Sequence, residues 1–163
     1  MKESEETMLT MTIPGWKTLQ LAHLVLDYNG TIALDGRLID GVKARLTALA
    51  ASLTVHVLTA DTFGNVREAL GDLPCQLVVI PVDRQAEAKL AYVAALGPDA
   101  CVCIGNGRND RLMLQESALG IAVVQAEGAA AQAILAADAV SCNILEALDL
   151  LYRPLRLTAT LRS

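Results

Sequence analysis

The stretch HLVLDYNGTIALDG, residues 23–36, decides how the rest of the chain is read. Three apolar residues, Leu24 to Leu26, run into a carboxylate, Asp27, and the chain then turns through Asn29, Gly30 and Thr31. An apolar run of strand length that stops at an acid puts that acid at the mouth of a buried sheet. There it can serve as a nucleophile, or it can simply cap a turn. The following residues, TIALDGRLID (31–40), carry Asp35-Gly36 between short apolar flanks, the signature of a small hairpin.

Working outward, short apolar runs alternate with longer stretches of helical period. LTVHVLT, QLVVI, ACVCIG, LGIAVV and DAVSC read as strands. GVKARLTALAAS has apolar residues at 42, 46, 49 and 50, a helical spacing, and TFGNVREAL, RQAEAKLAYVAAL, RNDRLMLQESA, GAAAQAILAA and ILEALDLLY read as helices. Pro154 is expected to end the last of these, and LRLTATLRS after it has no assignment. Strand–helix alternation implies parallel strands with right-handed crossovers. The expected fold is α/β, a three-layer α/β/α sandwich around a Rossmann-like parallel sheet of five or six strands. Residues 1–163 are expected to form one domain, with an N-terminal edge segment over 1–20, broken at Pro14-Gly15, and a hairpin flap over 31–40.

Composition narrows the function. The apolar share is 53% and the aromatic share 3%, as expected for aliphatic strands buried on both faces. A net charge of −5 argues against a nucleic-acid partner, which calls for a basic face. No apolar run approaches the about 20 residues of a membrane span, and MKESEETMLT is too acidic for a secretory signal. Cys75, Cys101, Cys103 and Cys142 contain no CxxC pair; the two thiols of CVCIG, Cys101 and Cys103, lie in an apolar run and are expected to pack as small core residues, in a reducing, cytoplasmic setting. His23 and His56 lie inside strand runs, as satisfied histidines rather than catalytic bases.

Ligands of open parallel sheets bind beyond the carboxyl ends of the strands. The first core strand ends in Asp27, the second in Thr59 with Ala60 and Asp61 after it, and the fourth in GNGRND, residues 105–110. Lys89 falls in the helix after the third. Each has a plainer reading: Asp27 closing a turn, Thr59 as a β-branched strand residue, Asp61 or Thr62 as a helix N-cap, Lys89 as a solvated charge. Together they form a set suited to phosphoryl transfer. A carboxylate can attack phosphorus. A hydroxyl, an ammonium and backbone N–H groups near Gly30 can hold the phosphoryl oxygens. Mg²⁺ between Asp27 and Asp110 would relieve their repulsion.

VLDYNGT, VLTAD, Lys89 and IGNGRNDRLML, in that order, resemble the four motifs of the haloacid dehalogenase (HAD) superfamily of phosphatases over about residues 22–125. The fourth is similar to the GDGxND of P-type ATPase phosphorylation domains, and the chain resembles the small, soluble, capless P-type ATPase-like HAD phosphatases. The resemblance implies Asp27 as the phosphate-accepting nucleophile, Thr59 as a phosphoryl ligand with Asn29, Gly30 and Ala60 beside it, and Lys89 as the charge-neutralising group. It implies Mg²⁺ held by Asp27, the Asn29 carbonyl oxygen and Asn106, with Asp110 binding or orienting it. It further implies a phosphorylated substrate and an open site, met either by a large substrate or by a neighbouring subunit of a homo-oligomer, dimer or tetramer; no nucleic-acid or membrane partner is expected, from the charge and the apolar run lengths.

Two positions depart from that pattern. Asn29 stands where most of these phosphatases carry an acid that protonates the leaving group; an amide cannot, which removes help worth ~10²–10⁴-fold. P-type ATPase domains carry Thr there and still form the phosphoenzyme. Asn106 replaces an acidic Mg²⁺ ligand and lowers the charge offered to the ion. These departures keep a second reading open, a HAD-derived binding or regulatory module without efficient turnover. A dinucleotide fold fails because Asp110 stands at the third glycine position. A receiver domain fails because no acidic pair precedes Asp27. Phe63, Arg108 and Arg111 are candidates to meet a leaving group.

Overall fold

The computed structural model describes residues 8–61 and 65–163. Leu9–Thr12 (β1) and Thr18–Leu21 (β2) pair antiparallel around the turn at Pro14-Gly15. This corrects the expected edge strand: the pair forms its own two-stranded ribbon, separate from the main sheet. The reason is the pattern of β2, where Leu19 and Leu21 are buried and Thr18 and Gln20 exposed. One-sided alternation suits a half-solvated antiparallel ribbon, not a parallel sheet covered on both faces.

The chain continues through β3 (His23–Asp27), the short hairpin β4 (Ala33–Leu34) and β5 (Arg37–Leu38), and α1 (Val42–Leu49). Then come β6 (Thr54–Thr59), α2 (Asn65–Leu70), β7 (Gln76–Val79), α3 (Gln85–Leu96) and β8 (Cys101–Gly105). The last elements are α4 (Arg111–Glu116), β9 (Leu119–Val123), α5 (Ala131–Ala136), β10 (Ala139–Ser141), α6 (Ile144–Tyr152) and α7 (Pro154–Leu161). Six strands form one parallel sheet in the order β10-β9-β8-β3-β6-β7. Two apolar layers cover it. Leu24 and Leu26 of β3 pack with α1, α2, α6, α7 and the ribbon, whereas Val25 packs with Val93 of α3, Met113 and Leu114 of α4 and Ala133 of α5. The three-layer α/β/α architecture is the one expected from the alternation.

The period-2 geometry of β3 puts Asp27 on the same face as Val25, the face covered by α3. On α3, Ala86, Lys89 and Val93 are buried at helical spacing, so Lys89 points under the strand ends rather than outward. The hairpin falls where Asp35-Gly36 marked it: both residues have positive φ, 50° and 79°, as a two-residue type I′ turn requires. The Tyr28 hydroxyl donates to the Gly36 carbonyl at 2.9 Å and ties this flap to the end of β3. No larger insert follows Asp27 among the described residues, and only α2 and β7 lie between Thr59 and α3.

Pro154 begins an element as well as following one. It stands in the first turn of α7, where its missing N–H costs nothing. Residues 62–64, including Phe63 and the start expected for α2, lie outside the described residues.

Candidate active site

Asp27 ends β3 and Thr59 ends β6, and the two strands are paired neighbours. Asn106 follows β8, the neighbour of β3 on its other side. These three strand ends and Lys89 of α3 surround one cavity of about 480 Å³, whose walls also include Asn29 and Ala60. Asp61, Gln85, Gly107 and Asn109 complete it.

Lys89 is 1% exposed, which excludes the solvated-charge reading. Its ammonium donates to Asp27 Oδ1 at 2.8 Å and to Asp110 Oδ1 at 2.7 Å. A third, longer contact of 3.5 Å reaches Asn109 Oδ1. All three hydrogens of the ammonium are thereby directed. Burial opposes the charge, but the two carboxylates outweigh it and raise the ammonium above its ordinary pKa.

Asp110 is fully buried. Its Oδ2 accepts the backbone N–H groups of Asn106, at 3.1 Å, and Gly107, at 2.9 Å, which folds residues 105–110 into a tight loop. Gly105 leaves room for this, since a Cβ there would overlap the Asp110 carboxyl. Burial, and then the nearby Asp27, push the Asp110 carboxyl up to about 7 against the pull of Lys89. Both Asp110 oxygens are engaged, so of the two roles expected for it the geometry fits orienting, through Lys89 and the loop, rather than direct contact with an ion.

Thr31 is fully buried, and its hydroxyl lies 3.2 Å from both Asp27 Oδ2 and Asn106 Oδ1. Two acceptor oxygens thus share one hydrogen. Convergent oxygens with so few hydrogens between them suit a hard cation that also takes water and a substrate phosphate. Asp27 Oδ2, Asn106 Oδ1 and the Asn29 carbonyl oxygen are the residues that would hold it. With one carboxylate among them the set is lean, and among the described residues no group of three His, Cys, Asp or Glu side chains could hold a metal.

Gly30 departs from its expected part as a phosphate ligand. Its N–H donates to the Ala33 carbonyl at 2.8 Å, and it is absent from the cavity wall. Its contribution is shape: φ is +79°, and a Cβ would overlap the Asn106 amide. Thr59 Oγ1 accepts the Asp61 N–H at 3.1 Å, which leaves its own hydrogen for a ligand. The Asp61 carboxylate accepts the Val66 N–H at 3.2 Å, near the start of α2, in keeping with a capping role.

Thr31, Gln85, Asn109 and Gln125 escaped the sequence reading. Gln125 donates to the Gly30 and Thr31 carbonyls, at 3.2 and 3.0 Å, and its Oε1 accepts the Ile144 N–H at 2.8 Å. No local pattern marks it, because its partners lie 94 and 95 residues before it and 19 after. Arg108 and Arg111 are absent from the cavity wall, and the Arg111 guanidinium donates to the Arg108 carbonyl instead. Away from the cavity, His56 bridges His23 at 3.0 Å and the Tyr92 hydroxyl at 2.7 Å, a satisfied buried histidine. Cys101 and Cys103 are buried in the core, where burial pushes both thiols up. No helix among the described residues is long and apolar enough to cross a membrane.

No protein-family model matches the chain. Two similar sequences come from Methanocaldococcus jannaschii. The uncharacterized protein MJ0073 is 49% identical over 61 residues, which cover 37% of this chain and 66% of that protein, slightly under two thirds of its length. The uncharacterized protein MJ0072 is 51% identical over 39 residues, 24% of this chain and 89% of its own. Among solved structures, a HAD superfamily (subfamily III A) hydrolase from Legionella pneumophila superposes with a TM-score of 0.69 at 19% identity, covering 86% of each chain. The 3-deoxy-D-manno-octulosonate 8-phosphate phosphatase of Moraxella catarrhalis, in complex with magnesium and phosphate ions and KDO, gives 0.63 at 17% identity over 82% of this chain and 86% of that one. A zinc-transporting PIB-type ATPase in its E2.Pi state gives 0.60 at 25% identity over 75% of this chain but 20% of the pump. By sequence, then, the chain belongs with these archaeal proteins, and its fold is the one seen in the solved HAD superfamily hydrolases.

Proposed function

We propose that the chain is a phosphohydrolase or phosphotransferase that acts on a phosphomonoester through a phospho-aspartate on Asp27. The observation that carries this reading is the meeting of Asp27, Lys89, Thr59 and Asn106 at one cavity. The ion pair at 2.8 Å balances the charge of the attacking carboxylate in an otherwise buried setting. The solved relatives of the same fold include phosphatases, one of them holding magnesium and phosphate.

In the first step an Asp27 oxygen attacks phosphorus and the bond from phosphorus to the ester oxygen breaks. The Thr59 hydroxyl and the Ala60 backbone hold the phosphoryl oxygens as charge shifts onto them. Mg²⁺, held by Asp27, Asn106 and the Asn29 carbonyl, would supply further neutralisation of those oxygens. The departing oxygen takes its proton from water, because Asn29 has none to give. In the second step water, or another hydroxyl, attacks the phosphorus of the acyl phosphate and restores the Asp27 carboxylate. With no acid at position 29, both proton transfers depend on solvent. Aryl phosphates, whose leaving groups need little protonation, are the favoured probes. Among the described residues no cap covers the mouth, which suits a bulky phosphorylated substrate or a second copy of the chain there.

The test is hydrolysis of an aryl phosphate with Mg²⁺, wild type beside Asp27→Asn. Activity that disappears in the variant supports the enzyme. Equal background in both, with retained phosphate binding, supports the second reading, a phosphate-holding module, which Asn29 and Asn106 favour.

A further inference from the structure

Three of the hydrogen bonds around the cavity form a directional chain. Gln85 Nε2 donates to the Val82 carbonyl at 3.0 Å. Asn109 Nδ2 donates to Gln85 Oε1 at 2.7 Å. Lys89 Nζ donates to Asn109 Oδ1 at 3.5 Å. A carboxamide can turn over and exchange its donor and acceptor ends, and only its partners decide between the two orientations. Here the decision starts from a group that cannot turn. The Val82 backbone carbonyl only accepts, so the nitrogen of Gln85 must face it. Gln85 then presents oxygen to Asn109, Asn109 presents nitrogen to Gln85, and the oxygen of Asn109 is left toward the ammonium. Arg84, immediately before Gln85, is held at φ 56°, a left-handed conformation that a non-glycine residue keeps only where its surroundings fix it. Gln85 stands one helical turn before Lys89 on α3, so both project toward the same wall of the cavity.

We propose that Gln85 is a positioning residue for phosphate binding, one that acts on Lys89 through the orientation of Asn109. This deepens the proposed function and rests on it. The ammonium has three hydrogens. Two are bound tightly to Asp27 and Asp110, at 2.8 and 2.7 Å, and the third rests on Asn109 in the longest and weakest of the three contacts. That third hydrogen is the one released to a phosphoryl oxygen. Asn109 keeps it aimed at the cavity before the ligand arrives and gives it up at little cost. With Gln85 gone, Asn109 turns freely, and in half of its orientations an amide nitrogen faces the ammonium, donor against donor.

The experiment is a double-mutant cycle read in two ways. Binding of inorganic phosphate is measured by titration calorimetry, and aryl phosphate hydrolysis gives KM and kcat separately. Gln85→Ala should weaken phosphate binding and raise KM about tenfold, the loss of one oriented hydrogen bond to a charged group, while kcat changes less than about threefold. In an Asn109→Asp background the residue at 109 has two acceptor oxygens and no orientation to choose. There Gln85→Ala should leave phosphate affinity unchanged or improve it, because it removes an acceptor facing an acceptor. A purely structural role for Gln85 would cost the same in both backgrounds, and that result overturns the proposal. So does an unaltered phosphate affinity in Gln85→Ala alone. A wild-type protein that neither binds phosphate nor shows Asp27-dependent hydrolysis would end the proposed function, and this inference with it. That outcome is told apart because the wild type itself is silent.

Discussion

Replacing Lys89 by methionine isolates the charge balance of the site. Methionine matches the length and apolar stem of lysine and fills the same channel, so the change removes mainly the ammonium. Two carboxylates are then left facing each other, each having lost an ion pair, at 2.8 Å for Asp27 and 2.7 Å for Asp110. Among the described residues no other ion pair reaches either acid. Breaking a buried pair in this way costs about 3–5 kcal/mol, which for a chain of this size lowers Tm by roughly 10 °C. The loss should depend on pH. Asp110, already pushed up to about 7 by burial and by Asp27, moves higher once the ammonium is gone. At a pH of about 6 it takes a proton and the repulsion vanishes; at about 8.5 the folded state must either keep both charges or bind a proton that the unfolded state does not. Urea unfolding of wild type and Lys89→Met should therefore give a difference near 4 kcal/mol at the higher pH and about half of that at the lower. A difference below about 1 kcal/mol at both, or equal at both, would refute the view that Lys89 holds the two acids together.

Asn29→Asp restores an acid where the leaving group needs a proton, and turnover of an alkyl phosphate should rise by ~10²-fold or more; an unchanged kcat would mean that proton transfer is not what limits the wild type. Gly120→Ala places a Cβ into the Leu114 backbone carbonyl, which cannot rotate away, and should cost about 3 kcal/mol in chemical denaturation, with native stability counting against the packing of β9 on α4. His56 is lowered from 6.5 to about 4, by burial first and then by His23. The unfolded chain therefore takes up a proton before the folded one does, and the stability this provides is full above pH 6.5 and lost as pH falls toward 4. Relative to His56→Gln, which keeps a hydrogen-bonding side chain but does not titrate, wild type should lose ground across that window and not above it. Parallel stability curves in urea would refute the assignment.

Much of the fold was legible because its signals are local. Parallel strands covered on both faces are short aliphatic runs, helices repeat at 3.6, and Asp35-Gly36 has one favoured turn. The residues at the ends of those runs were legible for the same reason, which is how Asp27, Thr59 and the GNGRND segment could be assigned to one edge, with Lys89 added from the helix after the third strand. What failed was decided at a distance or by context. Pro154 reads equally as a stop and as a first helical residue, and only the burial of Leu157 settles which. The ribbon β1–β2 has strand character but not the two-sided apolarity of the main sheet. Thr31 meets Asn106 across 75 residues and Asn109 meets Gln85 across 24, with nothing in the intervening sequence to signal it. Asp110 sits in a polar motif that suggests exposure, whereas Gly105 beneath it makes the space that buries it.

Gln125 clamps the backbone just past Asp27 with one end and the first N–H of α6 with the other. A single amide thereby makes the reactive loop and a helix on the opposite layer of the sheet into parts of one lever. Strain introduced anywhere along α6 has a short mechanical route to Asp27, the proposed nucleophile, and substitutions there belong among those expected to detune the proposed chemistry without touching it.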